Sequence, residues 1–164
     1  MARLVLVCGP TGAGKTTYAI SLANEIGAVR FSIDQWMQTL YSKDMTSLDF
    51  AWISERLERC YEQIWNLCQQ ILELDGNVIL DLGFTTGEQR AYFVSKGEML
   101  SFDAEIHFLD ADVNTRRQRV KQRNTDKDPE LYSFEVTDMM FDFIEPRFEA
   151  PSAEELKKGC TIAT

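Results

Sequence analysis

The stretch that decides the fold is Gly9-Pro-Thr-Gly-Ala-Gly-Lys15-Thr16-Thr17. An apolar run, residues 4–8, precedes it, and its short length and branched side chains predict a buried parallel strand. Residues 15–26 follow it, and their apolar side chains recur at helical spacing. The sequence therefore predicts a strand, a glycine-rich loop and a helix, in that order.

The loop has the pattern G-x-x-x-x-G-K-[ST], which is suited to binding a polyphosphate. Its glycines let backbone N–H groups turn inward, and the N-terminus of the following helix adds a positive dipole end. Lys15 is expected to reach the outer phosphates, and the hydroxyl of Thr16 to bind the Mg²⁺ that bridges them. The predicted nucleotide-binding residues are Gly9, Pro10, Thr11, Gly12, Ala13, Gly14, Lys15, Thr16 and Thr17.

Composition and net charge indicate the number of domains and the kinds of partner that the protein can have. The chain has 164 residues and a net charge of −9, which suits a single domain, 1–164, with its own core. Non-specific nucleic-acid binding needs clustered basic residues, so the acidic balance makes nucleic acid an improbable partner. No apolar run approaches membrane-spanning length, and the first residues lack the pattern of a secretory leader. These features predict a cytoplasmic protein without a membrane partner.

The cysteines and the single histidine are expected to be structural. Cys8, Cys60, Cys68 and Cys160 form no C-x-x-C pair, which favours buried thiols in a reducing compartment over a zinc site or a disulfide framework. His107 lies inside an apolar run, so we expect a packed core residue.

Asp34 is the first candidate for a catalytic carboxylate. It follows a second predicted strand, residues 28–33, and therefore lies at the same sheet edge as the loop. It could accept the proton of an attacking hydroxyl or hold a magnesium-bound water. It could also cap the helix predicted over residues 35–40, since Asp favours that position.

A second carboxylate is expected to serve the metal. Residues 77–81 form a third predicted strand that ends on Asp81, the Walker B pattern, in which the carboxylate meets Mg²⁺ directly or through water. The fourth predicted strand is residues 104–109, and Asp110, which follows it directly, fits almost as well. The order relative to the loop favours Asp81.

The most basic stretch of the chain follows the fourth strand. On a helix, Arg116, Arg119 and Arg123 share one face, where a guanidinium could stabilise the charge of a transferring phosphoryl group. The alternative is a solvated helix face. Residues 124–133 are expected to form a mobile loop that closes on nucleotide. Arg90 could reach the same site or pair with a neighbouring acid.

The remaining segments complete an alternating pattern. Residues 41–49 are expected to form a loop, residues 51–74 one or two helices, and residues 88–100 a helix. Trp36, Trp52, Tyr61 and Trp65 could line a substrate pocket, although such a stripe is more often core. Residues 134–148 are expected to be helical with Met139, Met140, Phe143 and Ile144 facing inward, and residues 159–163 could add a last strand. Strands alternating with helices predict a three-layer α/β sandwich with a mostly parallel sheet.

The chain resembles the kinase-type P-loop family of small AAA-type ATP-binding proteins, which includes the polynucleotide 5′-kinase domain, zeta toxins, gluconate kinases and chloramphenicol phosphotransferase. The motifs that carry this resemblance are residues 9–16, Ile33-Asp34, residues 78–81 with Arg90 beyond, Arg119 to Arg123, and Phe148-Glu-Ala-Pro151 before Glu154. The resemblance implies a five-stranded sheet in the order 2-3-1-4-5, a helical lid at about residues 115–135, and the cofactors ATP and Mg²⁺. It implies that Lys15 binds phosphates, Thr16 binds the metal, Asp34 is the general base, and Arg119 and Arg123 are lid arginines.

The expected function is transfer of the γ-phosphate of ATP to a hydroxyl of a small molecule. Zeta toxins and polynucleotide kinases place a basic residue shortly after the acid that matches Asp34, whereas residues 35–40 have none. This difference favours a neutral or cationic acceptor. The alternatives are a nucleotide-dependent switch or ATPase that serves a protein partner, and, less favoured, a nucleic-acid 5′-hydroxyl kinase.

Overall fold

The computed structural model describes residues 1–47 and 49–164, which form five strands and six α-helices in the expected alternation. The strands are β1 (Leu4–Cys8), β2 (Ala28–Ser32), β3 (Asn77–Asp81), β4 (Ala104–Asp110) and β5 (Cys160–Ala163). The helices are α1 (Lys15–Ile26), α2 (Ile33–Tyr41), α3 (Phe50–Glu73), α4 (Gly87–Met99), α5 (Val113–Asp126) and α6 (Asp138–Ile144). Short 3₁₀ turns lie at Glu145–Arg147 and Glu155–Lys158.

All five strands are parallel and lie in the order β2-β3-β1-β4-β5, as predicted. In β1, every residue is fully buried, because both faces of the sheet are covered by helices. Leu4 and Leu6 point to one face, where α3 and α4 supply Ile64 and Phe93. Val5 and Val7 point to the other face, toward α1. This is why β1 is a continuous apolar run rather than an alternating one.

The central position of β1 fixes the phosphate loop at the middle of the sheet edge. The strand order places β3 and β4 on either side of β1. The carboxyl ends of these strands therefore converge on the segment 9–14, the arrangement in which ligands bind α/β sheets.

Element boundaries differ from the sequence-based ones in two informative places. The strand predicted over residues 28–33 ends at Ser32, whose side chain accepts a hydrogen bond from the Gln35 N–H and caps α2. The loop predicted over residues 41–49 begins one residue later, since Tyr41 ends α2, and Leu48 within it lies outside the described residues. The segment predicted as one or two helices is a single helix, α3.

The predicted helix over residues 134–148 is wrong in length, and its inward facing is wrong for Met139 and Phe143, whereas Met140 packs against a buried cluster. Helix α6 begins only after Thr137, which accepts a hydrogen bond from Met140 N–H, and Pro146 follows in a 3₁₀ turn. Phe141 is its buried residue, whereas Met139 and Phe143 are 82% and 55% exposed. The apolar spacing could not reveal this facing, because five apolar side chains in a seven-residue helix allow more than one inward stripe.

Among the described residues, no helix combines the length and the apolar character that crossing a bilayer requires. Three of the cysteines are buried as expected, but Cys160 is exposed on the edge strand β5, which corrects the prediction of a buried thiol there.

Candidate active site

The phosphate loop is held in a shape that depends on glycine. Gly12 and Gly14 have φ of 79° and 90°, left-handed values that residues with a Cβ adopt only with strain. A Cβ on Gly12 would lie 2.5 Å from the carbonyl oxygen of Arg116, so the loop packs directly against the first turns of α5. The loop is therefore fixed by β1 and α1 at its ends and by α5 from outside.

Lys15 occupies the first position of α1 and folds back over the loop. Its Nζ donates hydrogen bonds to the carbonyls of Gly9 at 2.8 Å and Pro10 at 3.0 Å. Burial lowers the pKa of Lys15, and the negative charges of Asp81 and Asp34 oppose that change. A cation held in this way over a glycine loop is suited to take phosphate oxygens in exchange for the two carbonyls.

The loop opens into the main cavity, which has a volume of about 840 Å³. All nine predicted nucleotide-binding residues, 9–17, line it. It is also lined by Asp34, Asp81, Arg119, Arg123 and residues of the segment 126–136. This volume lies in the range of sites that enclose a drug-sized ligand.

Thr16 and Asp81 form the candidate metal site. The Thr16 hydroxyl donates a hydrogen bond to Asp81 Oδ2 at 3.2 Å, and Asp81 is 6% exposed. Mg²⁺ prefers oxygen ligands and usually combines one or two protein groups with substrate phosphates and waters, so this oxygen pair beside the phosphate loop fits that ion. Asp110 is exposed and does not line the main cavity.

Arg30 lies beside Asp81 and was missed in the sequence analysis. Its Nε is 3.4 Å from Asp81 Oδ2, and its side chain is 12% exposed. Within the described part of the chain, neither Nε nor Nη2 of Arg30 has a hydrogen-bond partner. The available signal was a charged residue inside a predicted strand, since such a side chain needs a counter-charge.

Asp34 lies in the first turn of α2 and opens onto the main cavity. Because Ser32 provides the cap, the alternative prediction that Asp34 caps this helix is wrong. Burial of the carboxylate and the nearby charge of Asp81 raise the pKa of Asp34, whereas Lys15, Arg123 and Arg30 lower it. Since solvent reaches the side chain, these opposing influences are screened by water.

The three arginines predicted on one face of α5 have different surroundings. Arg116 is buried, donates to the Thr11 carbonyl at 3.2 Å, and forms a two-pronged ion pair with Glu145. It supports the phosphate loop through its hydrogen bond to Thr11, and it does not line the main cavity.

Arg119 and Arg123, in contrast, line the main cavity. Arg119 Nη1 donates to Thr164 Oγ1 at 2.9 Å, and that hydroxyl donates to the Ala13 carbonyl at 3.0 Å. Arg123 has a buried Nε without a hydrogen-bond partner among the described residues. Burial lowers the pKa of Arg123, and the charge of Asp34 opposes that change, but a guanidinium stays protonated in either case.

Arg90 pairs with an acid, the second of its two predicted roles. It is 1% exposed, donates to Glu155 Oε1 at 2.7 Å and to the Glu149 carbonyl at 2.8 Å, and does not line the main cavity. The family motif around residues 148–155 is thus bound to α4 by this arginine.

The candidate pocket aromatics mostly belong to the core. Trp65 is buried, and Trp36 packs against Phe31, while Arg56 lies 3.9 Å from the centroid of the Trp52 ring. None of the four lines the main cavity; Tyr61 lines a smaller one. His107 is 5% exposed and lies 2.7 Å, through Nδ1, from the Tyr18 hydroxyl, in agreement with a packed core residue.

Comparison with known sequences identifies a family and one partial relative. The sequence profile of AAA_33, an AAA domain family, matches residues 4–150. The checkpoint protein rad17 of Schizosaccharomyces pombe is 31% identical over 74 residues, which are 45% of this chain. The matched part spans 11% of that protein.

Comparison with solved structures finds the same fold in two proteins, Kti12 and a gluconokinase. Kti12 from Chaetomium thermophilum, solved in complex with ADP-AlF3, is 17% identical with a TM-score of 0.72, over 98% of this chain and 88% of that one. A gluconokinase from Sinorhizobium meliloti is 14% identical with a TM-score of 0.59, over 98% of this chain and 82% of that one. The sequence match over residues 4–150 shows that the chain belongs to the AAA_33 family of AAA domains.

Proposed function

We propose that the protein is an ATP-dependent phosphotransferase that moves the γ-phosphate of ATP to a hydroxyl of a small molecule. The observation that carries the proposal is that Asp34 opens onto the same cavity as Lys15, Asp81 and Arg123. A carboxylate that lines the same cavity as a phosphate loop is suited to act as general base for an acceptor hydroxyl.

Each residue of the site has one role in this proposal. Bound Mg·ATP supplies the γ-phosphoryl group and the leaving ADP. Lys15 and the loop amides hold the phosphates, and Thr16 and Asp81 hold the metal. Asp34 takes the proton of the acceptor hydroxyl, which makes that oxygen the nucleophile. Arg119 and Arg123 neutralise the charge that develops on the transferring group.

We propose that residues 115–135 act as a lid within one domain of residues 1–164. Helix α5 carries both cavity arginines, and Asp126, Asp128 and Leu131 from the same segment also line the cavity. Movement of this segment toward the loop would bring the two guanidinium groups to the phosphates and exclude water.

The carboxylates that line the main cavity favour a neutral or cationic acceptor. Asp34, Asp126 and Asp128 all line the main cavity, and residues 35–40 contain no basic side chain. An anionic acceptor would meet repulsion from these carboxylates. The net charge of −9 argues in the same direction against a nucleic-acid 5′-hydroxyl.

A second candidate function is a nucleotide-dependent ATPase that serves a protein partner. It is favoured by the similarity to Kti12 and by the partial match to rad17, neither of which is described as a kinase of small molecules. In that function, Asp34 would have no acceptor hydroxyl to deprotonate.

A mass-spectrometric acceptor screen tests the proposal. Wild type, Asp34→Asn and Asp110→Asn are incubated with Mg·ATP and a library of hydroxylated metabolites, aminoglycosides, nucleosides and 5′-hydroxyl oligonucleotides. Asp110 also ends a strand but is exposed outside the main cavity, so Asp110→Asn is the matched control. We expect one acceptor class to gain a phosphate with wild type and the control, and a loss of about two orders of magnitude with Asp34→Asn.

The same experiment can overturn the proposal in favour of the second candidate. ATP hydrolysis at equal rates in all three proteins, without any phosphorylated acceptor, would contradict phosphotransfer. Calorimetric titration with Mg·ATP checks that Asp34→Asn still binds nucleotide, which separates a chemical loss from a binding loss.

A further inference from the structure

Arg30 is a charged residue inside the buried part of the sheet. It lies on β2 opposite Ile79 of β3, and two residues further along both strands Ser32 lies opposite Asp81. Side chains two residues apart in a strand share a face of the sheet, so Arg30, Ile79 and Asp81 share the face where Ile79 packs with α1. The Arg30 side chain therefore runs along β2 toward the carboxyl edge, where it meets Asp81.

The contact between Arg30 and Asp81 is close and shielded from water. Arg30 Nε lies 3.4 Å from Asp81 Oδ2, and the two side chains are 12% and 6% exposed. Thr16, the other residue of the candidate metal site, donates a hydrogen bond to the same oxygen at 3.2 Å. Salt and water screen buried charges much less than exposed ones, so the positive charge of Arg30 acts strongly on the carboxylate that is proposed to bind the metal.

Charge rather than a hydrogen bond holds this pair together. Within the described residues, neither Nε nor Nη2 of Arg30 has a hydrogen-bond partner. Arg90, in contrast, donates a hydrogen bond of 2.7 Å to Glu155. Asp81 can therefore exchange Arg30 for another cation without breaking a hydrogen bond from the arginine.

A divalent cation that binds Asp81 has to compete with Arg30. The ion and the guanidinium repel each other, and the carboxylate has to divide its negative charge between them. Both effects lower the affinity of Thr16 and Asp81 for a metal ion alone. The phosphates of ATP change this balance, because they add oxygen ligands and negative charge on the other side of the ion.

We propose that Arg30 is a positioning residue that acts through Asp81: it holds the carboxylate beside Thr16 and keeps the affinity for a metal ion alone low, so that the metal binds tightly only together with the phosphates of ATP. This inference rests on the proposed role of Thr16 and Asp81 in metal binding. It needs no acceptor, so it applies equally to a phosphotransferase and to an ATPase.

The test is the binding of Mn²⁺ without nucleotide, measured from the EPR signal of the free ion, in wild type, Arg30→Gln and Arg30→Lys. Glutamine keeps an N–H donor near Asp81 but removes the charge, whereas lysine keeps the charge. We expect Arg30→Gln to bind Mn²⁺ at least about tenfold more tightly than wild type, and Arg30→Lys to stay within about twofold. Unchanged or weaker binding by Arg30→Gln would overturn the proposal, since loss of a merely structural arginine cannot improve the site.

Two control variants show where the ion binds and whether net charge matters. Adding Asp81→Asn to Arg30→Gln should remove the gain; if the gain persisted, the ion would lie elsewhere, and both the metal role of Asp81 and this inference would fail. If Asp81→Asn removed Mn²⁺ binding while Arg30→Gln matched wild type, only this inference would fail. Arg59→Gln removes the same charge at a side chain that is 60% exposed on α3, and an equal gain there would assign the effect to net charge and overturn the proposal.

Two further measurements cover folding and the role of nucleotide. Loss of Arg30 leaves Asp81 buried without its cation, which destabilises the fold, and a metal that binds the folded state restores stability. Mn²⁺ should therefore raise the melting temperature of Arg30→Gln more than that of wild type, and an equal or smaller rise would contradict the proposal. The affinity for Mg·ATP should change by less than about threefold in Arg30→Gln; a change as large as that for Mn²⁺ alone would contradict the coupling to nucleotide.

Discussion

Arg90 and Arg123 show two different uses of a buried guanidinium in one small fold. Arg90 is 1% exposed and makes four hydrogen bonds, two to Glu155 and one each to the carbonyls of Phe84 and Glu149. Arg123 borders the main cavity, and its buried Nε has no partner among the described residues. Buried polar groups are normally satisfied, so the second arginine is the one whose partner we expect to arrive with a ligand.

The same contrast separates Arg116 from Arg30. Arg116 pairs with Glu145 and supports the loop at Thr11. Arg30 lies beside Asp81, and two of its nitrogens have no hydrogen-bond partner within the described residues. Arg90 and Arg116, whose donors have partners, hold elements that flank the site. Arg123 lines the main cavity, and Arg30 lies beside Asp81, the proposed metal ligand. The predictions below test this division.

The largest expected effect is the loss of stability that Arg90→Met causes. Methionine keeps much of the length of the side chain but removes the donor of two carbonyls and the arginine partner of Glu155, which still accepts from the Ser152 N–H. Breaking a buried pair typically costs several kcal/mol. We expect the free energy of unfolding in urea to fall by about 3 kcal/mol. Arg59→Met, at a side chain that is 60% exposed, is the control and should change it by less than about 0.5 kcal/mol. A loss below about 1 kcal/mol for Arg90→Met would contradict a structural role.

Arg123→Met should leave the stability unchanged and reduce phosphoryl transfer. Because no protein group loses a hydrogen bond from Nε, the free energy of unfolding should stay within about 0.5 kcal/mol of wild type, while phosphoryl transfer falls by about two orders of magnitude. Lys121→Met, at an exposed residue of the same helix, provides the comparison. If Arg123→Met unfolded as readily as Arg90→Met and transferred phosphate normally, the division between the two arginines would fail.

A smaller effect is expected in the pH dependence of kcat/KM. Burial and the charge of Asp81 raise the pKa of Asp34 above its ordinary value of 3.8, and a general base must be ionised, so kcat/KM should rise as pH rises through that pKa. Arg123 lowers the pKa of Asp34, so Arg123→Met should move this acid limb to higher pH. The pH profile of kcat/KM for both proteins checks the direction. A limb that stayed in place or moved to lower pH would show that Arg123 does not act on Asp34.

The fold and the loop could be predicted from the sequence because their signals are local. Strand, glycine loop and helix follow one another within residues 4–26, and the alternation of strands and helices is continuous after them. Asp34 and Asp81 were predictable because strand ends converge on one sheet edge. Their roles in transfer and metal binding stay predictions.

Pairings between distant residues could not be predicted in the same way. Arg90 and Glu155 are separated by 65 positions and Arg116 and Glu145 by 29, so only the folded chain selects these partners. Met139 and Phe143 were placed inward by spacing alone, whereas the cap at Thr137 and the single buried residue Phe141 set the true facing of α6. Arg30 went unnoticed because its neighbour Asp81 lies on a different strand.

Binding of Mg·ATP to wild type and to Lys15→Ala, measured by titration calorimetry, tests the central claim most directly. Removal of Lys15 takes away the ammonium group that donates to the carbonyls of Gly9 and Pro10, and charge-assisted contacts to phosphate are among the strong hydrogen bonds of proteins. We predict that wild type binds Mg·ATP and that Lys15→Ala binds it at least about a hundredfold more weakly. Equal affinity in the two proteins would contradict the nucleotide site and with it the proposed phosphotransfer.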